Sequence, residues 1–172
     1  MKRISSIVST ATECLLAFLI FAIAATAGWA QVPGNGVAPR SGLMVGEWKL
    51  LPLKSDFGGG QKLMGMEAKV SHDGADGIEY TISVTYESGM HADYTFNGLP
   101  DGKNYSIEGG ATLYSYTEES GVVHETQRDP DGTVTKGDFT VSANGKLGTW
   151  KYTVTNPDGA VIHQRLVFAR TA

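Results

Sequence analysis

From residue 43 onward apolar and polar side chains alternate one by one in short runs, and glycine-rich turn signals separate the runs. In the stretch 79–86 the residues Tyr80, Ile82, Val84 and Tyr86 share one face, and Thr81, Ser83 and Thr85 share the other. Ala92, Tyr94 and Phe96 repeat the pattern, as do Trp150, Tyr152 and Val154. Further on, Ile162, Leu166 and Phe168 oppose Val161, His163, Arg165 and Val167. A period of two is that of a strand, and burial of one face only belongs to antiparallel sheets. No window after residue 42 shows helical spacing over a helical length, which leaves room only for a single turn around 55–60.

Between the runs, Pro-Asp-Gly occurs at Pro100, Pro130 and Pro157. Proline presets φ, the aspartate side chain can bond the backbone ahead of it, and glycine supplies the positive φ that closes a hairpin. With the signals at 55–60, 71–77, 88–89, 109–110, 118–121 and 144–145, the chain has connectors for about ten strands. The fold class expected is all-β: an antiparallel up-and-down meander closing into an 8–10-stranded barrel. A two-sheet sandwich is the alternative, but it needs long crossovers, and only 55–62 is long enough. At this strand number a barrel is just wide enough to hold a small ligand.

Ahead of the alternating region, Lys2 and Arg3 precede an uninterrupted apolar run from Cys14 to Ala27, and small residues lead to Gln31. A charged start, a short apolar core and small residues before a cut describe a secretory signal over residues 1–30. The run is short of the roughly 20 residues that span a bilayer, so no membrane span is expected in the mature chain. Residues 31–42 are rich in Gly and Pro and read as a flexible leader, with one domain over 43–172. The expected address is exported, periplasmic or extracellular. Loss of Lys2, Arg3 and Glu13 leaves 12 basic and 17 acidic groups and a formal charge of −5. The basic residues are scattered, which argues against nucleic acid as a partner.

Gly46-Glu47-Trp48-Lys49-Leu50 opens the first strand, and Ser55-Asp56-Phe57 follows shortly after. This resembles the lipocalin-like (calycin) small β-barrels, in particular exported bacterial lipocalin-like domains that start Gly-x-Trp-x-Leu-x-x-x-x-Ser-x-Phe and have no assigned activity. The resemblance implies that Gly46 and Trp48 sit at the closed end of the barrel, with Arg170 of the last strand packed over Trp48. The Thr-Asp-Tyr signature of many lipocalins is absent.

Little catalytic chemistry is written in the chain. His72 falls in a turn signal, His91 and His163 lie opposite the apolar faces of their strands, and no histidine pair has metal-ligand spacing. His124 and Glu125 are adjacent on a strand and so point to opposite faces. The aspartates at 73–76 and 129–131 do not follow the EF-hand spacing, and nucleophile, phosphate-loop and cysteine motifs are missing. No catalytic residue, metal or cofactor is expected. The aromatic residues Tyr80, Tyr86, Tyr94, Phe96, Tyr105, Trp150 and Tyr152 remain, on apolar faces. Tyrosine brings a polar tip to an apolar wall, which suits a lumen for a small apolar or amphipathic molecule. The alternative is a filled barrel that works through its surface in the envelope. An enzyme is the third reading, one that a buried ionisable group inside the lumen would favour.

Overall fold

The structure is a computed structural model that describes residues 42–107 and 110–172. The expected signal, and the leader apart from Gly42, lie outside the described residues. Ten strands follow in order: β1 (Gly46–Leu50), β2 (Leu63–Gly74), β3 (Gly77–Tyr86), β4 (His91–Gly98), β5 (Tyr105–Ser106), β6 (Leu113–Glu119), β7 (Val122–Arg128), β8 (Val134–Val141), β9 (Leu147–Thr155) and β10 (Val161–Arg170). All pairings are antiparallel. Among the described residues no helix is long and apolar enough to cross a membrane.

The turns form for the reasons the sequence suggests. Asp101, Asp131 and Asp158 each accept from the backbone N–H two residues ahead, at 2.9, 2.8 and 2.9 Å. The β6–β7 turn is tighter still: Ser120 at φ 53° and Gly121 at φ 77° join Glu119 to its register partner Val122. One expected turn is corrected. Residues 71–74 continue β2, with a register shift between Val70 and His72, and Asp73 is buried. Its carboxylate accepts from the Met44 N–H at 3.1 Å, so polar side chains that read as a loop are held inside a strand end.

The strand order is β4-β3-β2-β1-β10-β9-β8-β7-β6-β5. First and last strands are paired, with Trp48 opposite Arg170. The sheet is therefore a lipocalin-like meander rolled into a nearly closed barrel. Its unbonded seam lies between β4 and β5, where a proline and turn residues leave β5 only two residues long. Side chains close that seam. Phe96 of β4 packs edge-on to Tyr114 at 4.6 Å and Tyr116 at 6.0 Å, both of β6, and to Tyr105 at 6.4 Å. The Tyr116 hydroxyl donates to the Gly98 carbonyl at 2.7 Å.

The Ser-x-Phe segment also has a structural task. After the 3-10 turn Pro52–Lys54, the Ser55 hydroxyl donates to the Leu51 carbonyl and accepts from the Val167 N–H, both at 3.0 Å. Asp56 then bridges Arg165, and Phe57 packs onto the core. At the closed end Trp48 is 3% exposed and donates from Nε1 to the Met44 carbonyl at 2.8 Å. Phe139 stands edge-on to it at 5.9 Å, and the Arg170 guanidinium lies 4.5 Å over its ring.

Candidate functional site

Inward positions divide the barrel into a dry part and a wetter one. Trp48, Leu50, Val70, Ile78, Leu166 and Phe168 are buried and form a solid base. A pocket of about 10 Å³ remains between Met44, Asp73, Val123 and Phe139, which is at the limit for one water. In contrast Ile82, Tyr94, Trp150, Tyr152, Val154 and Gln164 face inward yet stay partly exposed. Ile82, Tyr94, Trp150 and Tyr152 also pack against the core, and Met66, Val84 and Tyr86 on the neighbouring inward positions are buried.

The aromatic residues singled out from sequence separate accordingly. Phe96 is 1% exposed and serves the seam. Tyr105 packs against it and directs its hydroxyl to Asp101 in the β4–β5 connection. Tyr86 and Tyr94 meet through their hydroxyls at 3.4 Å, and the Tyr152 hydroxyl donates to Gln164. Trp150 and Tyr152 stack with centroids 4.3 Å apart at 30°. Tyr80 stacks on Phe96 and stands edge-on to Tyr114. Trp48 is in register with Arg170 of β10 and Gly46 with Val70 of β2, and the Arg170 side chain lies beside both Gly46 and the Trp48 ring.

Sequence reasoning passed over Glu125. His124 faces out, where it bonds Asp138 at 2.7 Å, and Glu125 faces the lumen among aromatic rings. The signal was present in the parity of β7: Val123, Glu125 and Gln127 share the inward face, so a carboxylate stands where an apolar residue belongs. Room for it comes from Gly137, its register partner on β8. A Cβ there would stand 2.6 Å from the Trp150 indole nitrogen and 2.7 Å from the Tyr152 Cβ, so only glycine lets the indole lie across the strand beside Glu125.

Burial pushes the Glu125 carboxyl from 4.5 up to about 7, with the Asp138 charge adding to the rise. The Tyr114 hydroxyl opposes it by hydrogen bonding the charged form. The Trp150 N–H is near enough to favour the ionised carboxylate but lies outside hydrogen-bond geometry, so it is buried without a partner. Burial likewise raises the phenols of Tyr80, Tyr114 and Tyr152, which stay protonated donors. Among the described residues no group of three His, Cys, Asp or Glu side chains is placed to hold a metal.

No protein-family model and no curated protein matches the chain. Solved structures similar to it include a redesigned β-barrel, mFAP1, bound to DFHBI, at 14% identity and TM-score 0.46, covering 74% of this chain and 95% of that one. Secretory abundant heat soluble protein 4 from Ramazzottius varieornatus is 13% identical with TM-score 0.49, over 77% and 97% of the two chains. A variant of the fatty acid transporter REP1-NXSQ is 11% identical with TM-score 0.42, over 74% and 98%. What those proteins bind says nothing by itself about this chain.

A second depression, of about 520 Å³, is lined by Lys136, Asp138, Lys151, His163 and Arg165 of β8–β10 with Asp56, and also by Gly137, Tyr152 and Gln164. It is an open surface carrying charges of both signs, whereas Glu125 is enclosed by rings.

Glu125 also makes a stability prediction. Its folded pKa lies above its unfolded one, so the protonated carboxyl is the stabilised form. That contribution is complete below about pH 4.5 and is lost as pH rises through about 7. The ionised carboxylate then costs up to ~3 kcal/mol. Glu125→Gln is expected to melt higher than the parent at pH 8, with the gap closing toward pH 4.5. Thermal melts at the two pH values check this, and a pH-independent gap would refute it.

Proposed function

We propose that this protein is an exported binding or carrier barrel that takes a small, modestly apolar ligand into the partly exposed lumen beside Glu125. The observation that carries the reading is the contrast between a dry closed end and inward aromatic residues that remain accessible. Ligand pockets combine apolar and aromatic walls with a few orienting polar groups, and here the hydroxyls of Tyr94 and Tyr152, the Trp150 N–H and the Glu125 carboxyl supply them. The charged start and short apolar run of residues 1–30 support the exported address.

Native mass spectrometry of the protein purified from its own host tests the carrier reading. A reproducible added mass that disappears on unfolding is expected. A bare protein mass that persists after incubation with lipid and metabolite extracts would shift the function to the surface, where the groove on β8–β10 favours a partner-binding role. Glu125 also meets the condition under which an enzyme returns as a reading, since a carboxyl titrating near neutrality is suited to general acid–base work. In that case the mass spectrum would show a bound species chemically converted over time.

A further inference from the structure

Resting on the lumen as a ligand site, we propose that the ligand presents a protonated amine, seated between the Glu125 carboxyl and the ring faces of Trp150 and Tyr152. The argument begins with what the lumen lacks. All the lysines of the described residues are exposed, and so are Arg128 and Arg165. Arg170 faces inward but is committed at the closed end, over the Trp48 ring and to the Leu43 carbonyl. Glu125 therefore has tyrosine and tryptophan around it and no cation.

The groups facing Glu125 are Tyr114 and Tyr116 from β6, Tyr80 from β3, and Trp150 and Tyr152 from β9. Asp138, next along β8 from Gly137, adds a negative charge from the outer side. None supplies a positive charge. A ligand carboxylate placed there would set two like charges together in a poorly solvated space, which is costly. A neutral hydroxyl would leave the acid without a counter-charge. An ammonium group supplies one, and it gains a second attraction from the π faces of the stacked Trp150–Tyr152 pair.

Three probes of equal chain length test this on the full chain: octylammonium, octanol and octanoate, titrated calorimetrically within their solubility. Octylammonium is expected to bind at least about tenfold tighter than octanol, and octanoate weakest. Its affinity should rise roughly tenfold from pH 6 to pH 8, over which the amine stays charged while Glu125 loses its proton. Glu125→Gln, which removes a charge without changing the shape of the side chain, should bring amine and alcohol within about threefold and flatten the pH dependence. The pH series on the parent protein does not depend on that variant folding. Octanoate binding as well as the amine, or an amine preference that survives in Glu125→Gln, would overturn the head-group inference and leave the lumen reading standing. Failure of all three probes to bind at about 1 mM would overturn both.

Discussion

Trp48→Ala is expected to destabilise the protein by about 3–5 kcal/mol, the range for truncating a buried large aromatic residue. The loss has identifiable parts. The indole is 3% exposed, so its removal opens a cavity in the base. It leaves the Met44 carbonyl without its donor at 2.8 Å, takes the ring from under Arg170, and strips Phe139 of its edge contact. In a two-state melt this corresponds to roughly 10–20 °C in Tm. A drop of only a degree or two would mean that Trp48 does not anchor the closed end.

Phe96→Ala is expected to cost a similar ~3–5 kcal/mol, for a different reason. Phe96 touches Tyr80, Tyr105, Tyr114 and Tyr116, so one side chain joins rings from β3, β5 and β6 across the place where the sheet has no backbone ladder. Deleting it removes packing and also the main tie across the seam. Hydrogen exchange distinguishes the two contributions: the amides of β4 and β6 should lose protection before those of β1 and β10. Tyr116→Phe is the graded control. It keeps the ring, loses the bond to the Gly98 carbonyl, and should cost about 1–3 kcal/mol. If Phe96→Ala unfolded uniformly with no early exposure of β4, the seam would not be the weak line of the barrel.

The pairing of β1 with β10 was legible because a meander with an even number of strands makes the first and last antiparallel neighbours, and the contact of Arg170 with Trp48 was what the resemblance implied. The aspartate turns were legible because a side chain bonding two residues ahead is decided within four residues. The seam was not. Tyr114 and Tyr116 alternate with Leu113 and Ser115, so the parity of β6 is blurred by an apolar residue on each face. Which strand pair lacks a ladder depends on how the whole sheet curls. Residues 71–74 misled because their polarity resembles a loop, while Asp73 is kept in the strand by a partner 29 positions away. Glu125 was hidden by chemistry rather than geometry. Adjacent His124 drew the comparison, although the informative neighbours were Val123 and Gln127, two positions to either side.

The pairing of β1 with β10 also dictates when the molecule can be finished. Thr171 N–H bonds the Glu47 carbonyl at 2.8 Å, and the Thr171 hydroxyl reaches the same oxygen across 124 positions of chain. Closing so long a loop adds entropy cost that neighbouring hairpins never meet, and folds dominated by such distant pairings assemble slowly. On the ribosome β2, β3 and β4 have their hairpin partners almost as soon as they appear. The outer edge of β1 waits for β10 to emerge. Until then it is a bare strand edge beside an uncovered tryptophan, which makes the nascent chain that still lacks β10 the species most exposed to self-association.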